Sequence, residues 1–240
     1  NLCKDEQMRV LEQIQNDHLS KKEQIKRYYF KDFYDLNNVI NYKAGLLKEN
    51  LELNLETAKI ALYLAWMGVT IHDAVKIRRI DIDSNNKRIY IQSSNKHVKF
   101  DINTGGIFLE ILSYSQIEWN GEKLGEDDYI LRTVENSGDI VSAIRNLISF
   151  YFGANKRNGI DDNDRVINYQ RVYFSGLFYR ATAHYDKISM KNIELMSEIF
   201  DADASTASGY NLIYRRYRDF LSYCEYFYPV IYKSVKGYSK

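Results

Sequence analysis

Cysteine is nearly absent from this chain, proline occurs once, and no long apolar run is present. Only Cys3 and Cys224 occur in 240 residues, far apart and without metal spacing. That excludes a disulfide framework, gives no reason to expect a zinc site or any other metal or cofactor, and fits a reducing cytoplasm. The single proline, Pro229, is expected to end or kink the last helix. No apolar stretch approaches the roughly 20 residues that span a bilayer, and no signal peptide is visible, so no membrane partner is expected. Internal repeats and low-complexity linkers are also missing. A net charge of +1 neither demands nor excludes a nucleic-acid partner. The chain opens on Asn1 rather than Met, which leads us to expect a piece of something longer.

What is present points to a globular fold: 45% of residues are hydrophobic and 14% aromatic. This length supports a sizeable core, and one domain over 1–240 is expected. Charge is unevenly spread. Residues 118–139 hold Glu118, Glu122, Glu126, Asp127, Asp128, Glu135 and Asp139 against Lys123 and Arg132. Residues 211–240 hold Arg215, Arg216, Arg218, Lys233, Lys236 and Lys240 against Asp219 and Glu225. A basic face with an acidic back would hold a polyanion despite a neutral total, although such charges also simply solvate helices.

Along the chain, 20–53 reads as helix with breaks. In "NLETAKIALYLAWMG", Asn54 is a plausible N-cap and Gly68 a plausible stop. Ile60, Leu62, Leu64, Ala65 and Met67 are too dense for a one-sided stripe, which predicts a central, buried helix. A second helix is expected from Thr70–His72 to about Arg79. "DSNNKRIYIQSSNKHVKFDI" alternates around two turns, at Asp83–Asn86 and Ser93–Asn95, with Val98, Phe100 and Ile102 on one face. That predicts a small antiparallel sheet of three short strands. Helical patterns return in "GIFLEILSYSQIEW", "SGDIVSAIRNLISFYFG", "RVYFSGLFYRATAHYDK", "MKNIELMSEIFD" and from about Ser205 onward. The fold class is α+β, mainly helical.

Four segments, in this order, resemble the catalytic domain of the tyrosine recombinases, the phage integrase family. "KDEQMRVLEQI" (4–14) looks like the helix that opens that domain. "YLAWMGVTIHDAVKIRRIDIDSNNKRIYI" (63–91) is similar, without gaps, to the run in which a glycine precedes the first catalytic arginine. "SGLFYRAT" (175–182) occupies the place of the His-x-Leu-Arg-His box, and "IFDADASTASGY" (199–210) the segment that ends in the nucleophile. The resemblance implies a recombinase-like domain with a small antiparallel sheet packed among helices. The family's N-terminal core-binding domain is absent, which suits the C-terminal part of a longer chain.

In that family two arginines and a further donor neutralise the transition state, a lysine protonates the leaving oxygen, and a tyrosine attacks phosphorus. Here Thr70 stands in the first arginine's place, Ser175 in the box histidine's, Phe178 in the second arginine's, and Tyr179 in the closing histidine's. Asp201 falls on the late histidine, Lys96 matches the lysine and Tyr210 the nucleophile. Loss of one charge-stabilising donor costs about 3–4 kcal/mol, so this set should not cleave DNA. Arg180 and His72 lie two positions beyond the vacated places, about 200° around a helix, and do not substitute for them. No residue is therefore expected to be catalytic, and Thr70, Lys96, Ser175, Phe178, Asp201 and Tyr210 are expected to be vestiges.

For DNA contact the candidates are His72, Lys76 and Arg79 after the glycine and Lys96, His97 and Lys99 on the hairpin. Arg171, Tyr173, Ser175, Tyr179 and Arg180 around the box, and Arg215 in "YRRYRDF", complete the set. In the last segment the arginines should face outward and the aromatics inward, and the resemblance implies a homo-oligomer contact there. The resulting expectation is a sequence-specific regulator of double-stranded DNA that resembles a repressor, associated with a bacterial nucleoid. The alternatives are a divergent recombinase using Tyr210 and a protein-interaction module without DNA.

Overall fold

Phe33, Leu36, Ile40 and Lys43 recur at spacings of three and four, and that stripe is the buried side of α1 (Phe33–Gly45). The next segment has no polar side to offer solvent beyond its first turns. It forms α2 (Glu52–Trp66), in which Ile60, Leu62, Tyr63, Leu64, Ala65 and Trp66 are at most 1% exposed. The helix starts two residues before the expected cap, so Asn54 lies inside it. Gly68 does end it, as expected. With φ at +91°, it turns the chain so that its own N–H meets the Ala65 carbonyl at 3.0 Å and the Val69 N–H meets Leu64 at 3.0 Å. This paired closure needs the left-handed backbone that glycine adopts freely.

The helix expected from Thr70 to Arg79 is only one turn, α3 (Ile71–Ala74). Val75 and Ile77 are β-branched and buried, and the backbone beyond them pairs elsewhere. Ile130 N–H donates to the Ile77 carbonyl, Arg79 N–H to Asp128 and Ile80 N–H to Glu126, at 2.9–3.0 Å. A 3₁₀ turn over Arg79–Asp81 then leads into the sheet. Lys76 and Arg79 are therefore not neighbours on a helix.

β1 (Ile82–Asp83), β2 (Arg88–Ile91) and β3 (Lys96–Lys99) form the expected antiparallel sheet in the order β1-β2-β3. The register pairs Ile82 with Ile89, Ile89 with Val98, Tyr90 with His97 and Arg88 with Lys99. Lys87 and Asn95, with φ of 53° and 50°, close the two turns. Lys96 lies in β3 rather than in the turn, and Ile102 opens a helix instead of extending the strand. That helix, α4 (Ile102–Ser115), is followed by the hairpin β4 (Glu118–Trp119) and β5 (Glu122–Lys123), where the sequence pattern predicted helix through Trp119.

α5 (Ile140–Phe152) is capped by Asp139, whose carboxylate accepts from the Val141 N–H at 3.1 Å. α6 (Tyr169–Ala181) is capped by Asn168, which accepts from the Arg171 N–H at 2.8 Å. Both α4 and these two helices pack on α2, which is the axis of the core. Ile89, Ile91 and Phe100 add the sheet's inner face to the same core. The last helix is α7 (Ala207–Phe227).

The computed structural model describes residues 29–45, 52–100, 102–115, 118–119, 122–133, 139–153, 166–182 and 207–227. The chain divides into two compact units, Phe30–His184, and Asn1–Tyr29 with Tyr185–Lys240. Among the described residues the first unit holds α1 to α6 with both small sheets, and the second holds Tyr29 and α7. The architecture is mainly helical with a small antiparallel sheet, an α+β fold. The expectations for 4–14, for 190–201 with Asp201, and for Pro229 lie outside the described residues.

Candidate nucleic-acid interface

The segment expected in the place of the recombinase box, 175–182, runs along the seam between α6 and α2. Gly176 lies against the end of α2 so closely that a Cβ there would collide with the Trp66 carbonyl. One turn later, Arg180 donates through Nη1 to that same Trp66 oxygen, placing a guanidinium on the negative end of α2. Ser175 is fully buried; it accepts from the Phe30 N–H at 3.0 Å and donates to the Arg171 carbonyl at 2.8 Å. Phe178 is also fully buried and stacks on Phe174 with centroids 5.6 Å apart. Tyr179 is 38% exposed and lays its ring on Trp66 at 5.6 Å.

These positions correct part of the expected DNA surface. Ser175 has no path to a duplex, because its hydroxyl is buried and occupied on both sides. Arg180 is exposed and also donates to the α2 terminus, and Phe178, expected as a vestige, is core.

Thr70 caps α3. Its hydroxyl accepts from the Asp73 N–H at 3.2 Å and donates to the Asp73 carboxylate at 2.6 Å. The other Asp73 oxygen accepts from the Ser93 hydroxyl, which ties the β2–β3 turn to α3. Gln92 fixes the same turn from below by donating to Asp81 at 2.9 Å. His72, at the exposed start of α3, and Lys76 are both open to solvent. Arg79 is half-buried and donates to the Leu124 carbonyl at 3.1 Å.

Side chains alternate along a strand, so Lys96 and Lys99 lie on opposite faces of β3. Lys96 shares its side with Val98 and the inward-facing Ile89. His97 and Lys99 share the outer side with Tyr90 and Arg88. Across that outer face Arg88 stands directly opposite Lys99, and the His97 ring meets Tyr90 at 5.2 Å. Asp83 is the acid at hand, 3.1 Å from Arg88. Hydrogen bonds from Asn86 and then Arg88 hold the Asp83 carboxyl below its ordinary value, so it stays charged. Among the described residues no acid pairs with Lys99.

Thr70 also borders a cleft of about 710 Å³ between α3, α5 and the first turns of α6. Tyr169, Gln170 and Tyr173 line it, whereas Ser175 and Phe178 do not. The Tyr169 hydroxyl donates to the Val69 carbonyl at 2.9 Å, and burial pushes its pKa far above the ordinary value, with Tyr173 and Asp73 adding to the shift. Arg171 reaches back to the Val166 carbonyl at the same helix start. Thus the cleft beside Thr70 is met by residues 168–174, several positions before the box as aligned.

On α7, Tyr217, Phe220 and Tyr223 are buried and Arg215 and Arg218 are exposed, as expected, whereas Arg216 is half-buried. Tyr29 packs edge-on against Phe220 at 5.5 Å and donates to the Arg216 carbonyl at 3.1 Å. Tyr210 lies in the first turn of α7. Among the described residues no cluster of His, Cys, Asp and Glu is arranged to hold a metal ion, and no helix is long and apolar enough to cross a membrane.

Sequence reasoning passed over Arg88, Tyr90 and Arg145. The first two were legible from the strand register, since the Ser93–Asn95 turn sets Arg88 opposite Lys99. Arg145 carries no such signal, because its cleft neighbours come from distant parts of the chain. Searches against protein-family models, curated proteins and solved structures find no match for this chain.

Proposed function

We propose that this protein is a sequence-specific regulator that binds double-stranded DNA and does not cleave it. In kind it resembles the integrase-derived master repressor of SPβ-like prophages. One observation carries the reading: the outer face of the small sheet sets Arg88 against Lys99 beside a His97–Tyr90 pair. Like charges directly opposite on neighbouring strands destabilise a sheet. A row of phosphates lying across that face would turn the repulsion into attraction, and such contacts set register without reading sequence. Arg171 and Tyr173, at the start of α6, are the proposed base-reading side chains, with His72 and Lys76 as flanking phosphate contacts.

The proposal that cleavage is lost draws on the seam. The aligned second arginine position is a core phenylalanine, the first is an N-cap threonine, and the nearby Arg180 guanidinium is engaged by a helix end. Without cations at those positions the charge that develops in in-line phosphoryl transfer is left unneutralised there.

The test is a gel-shift series on random and selected duplexes at increasing salt. Affinity should fall steeply with salt, and Lys99→Glu should weaken all duplexes alike. Arg171→Ala should alter preference among sequences. A nicked duplex that traps tyrosyl-linked strands should yield no adduct. A covalent adduct, or salt-independent binding, would refute the reading.

A further inference from the structure

Apart from Tyr173, proposed above to read bases, the residues lining the cleft between α3, α5 and α6 have no role in the DNA reading. Its volume of about 710 Å³ is that of a small-molecule site, for which about 300–1,000 Å³ is usual. Ile71 and Ile148 form apolar walls and Tyr173 and Phe174 present aromatic rings 5.5 Å apart, edge to face. Among its described lining residues Arg145 is the one charged side chain. Asp73 stands behind Thr70 at the α3 end, where its carboxylate is held by Thr70 and Ser93. Arg145 lines the cleft from the exposed side of α5, and among the described residues it forms no ion pair. Asp139 feels its charge, but that carboxylate is committed to capping α5 through Val141 and Ser142.

We propose that this cleft binds a small aromatic monoanion, with its rings against Tyr173 and Phe174 and its carboxylate, sulfonate or phosphate on Arg145. The polarity fixes the orientation. An anionic group at the α3 end would meet Asp73, whereas on α5 it meets the exposed Arg145 guanidinium, which forms no ion pair among the described residues and can make charge-assisted hydrogen bonds. The apolar walls supply most of the binding area and Arg145 supplies the selection for negative charge. This site does not depend on whether the protein binds DNA.

The test uses two fluorescent probes of similar shape on the full chain, 1-anilinonaphthalene-8-sulfonate and its uncharged relative N-phenyl-1-naphthylamine. Both should bind saturably with one site per chain. Arg145→Gln should weaken the sulfonate by about tenfold or more, the scale of a lost charge-assisted bond, and leave the uncharged probe unaffected. Ser149→Trp, which places an indole into the cleft from an exposed helix position, should abolish binding of both. Matching thermal transitions for both variants and the parent would exclude loss of fold as the cause. Equal weakening of the two probes by Arg145→Gln, unsaturable binding, or full binding in the Ser149→Trp variant would overturn the proposal.

Discussion

Two surfaces proposed to face DNA on the sequence alone differ in how their polar groups are engaged. At the α2–α6 seam, Ser175 bridges Phe30 and Arg171, and Arg180 closes the end of α2 on the carbonyl that Gly176 also touches. On the outer face of the sheet, Arg88 and Lys99 face each other, with Asp83 the one acid beside them among the described residues. Polar residues in the seam hold the fold together, so their loss should appear as instability. Cations on the sheet strain the fold slightly, so their loss should appear in binding.

The largest effect is expected from Gly176→Ala. Alanine would normally favour a helix by about 1 kcal/mol, but here its methyl group must push α6 off the Trp66 carbonyl. A net loss of about 3 kcal/mol in urea unfolding is expected, at the upper end for overpacking. A neutral or stabilising outcome would break the comparison at its firmest point.

Ser175→Ala comes next. It strands the buried Phe30 N–H and should cost about 1–3 kcal/mol by the same measurement. Arg180→Ala should cost about 1 kcal/mol through lost charge at the α2 terminus, and duplex affinity should stay as it was. A large drop in affinity without a loss of stability would return Arg180 to the DNA surface. The smallest change in stability belongs to Lys99→Glu. It replaces a cross-strand repulsion with an attraction to Arg88 and should stabilise the sheet by about 0.2–1 kcal/mol.

The helix-dense core and the three-strand sheet were readable in the sequence because their signals are local. Unbroken apolar character announced α2, Gly68 announced its end, and alternation around Asp83–Asn86 and Ser93–Asn95 announced the hairpins. The α3 helix was misjudged in length because its stop depends on the backbone of 126–130, some 50 residues away, accepting or donating the bonds a longer helix would have made. The site was less legible for a similar reason. Ser175 and Gly176 look accessible when read along the chain, and only the approach of α2 makes them internal, while Arg180 stays exposed and still reaches the α2 terminus. Lys96 and Lys99 read as one basic tip until the pairing with Ile91 and Arg88 assigns them to opposite faces.

The most direct measurement is the slope of duplex affinity against salt for the parent protein and for Lys99→Glu. If the sheet's outer face grips phosphates, the parent's affinity falls steeply with salt, and the variant binds more weakly with its slope shallower by about 1 or more. Identical affinities and slopes for the two proteins would contradict the account.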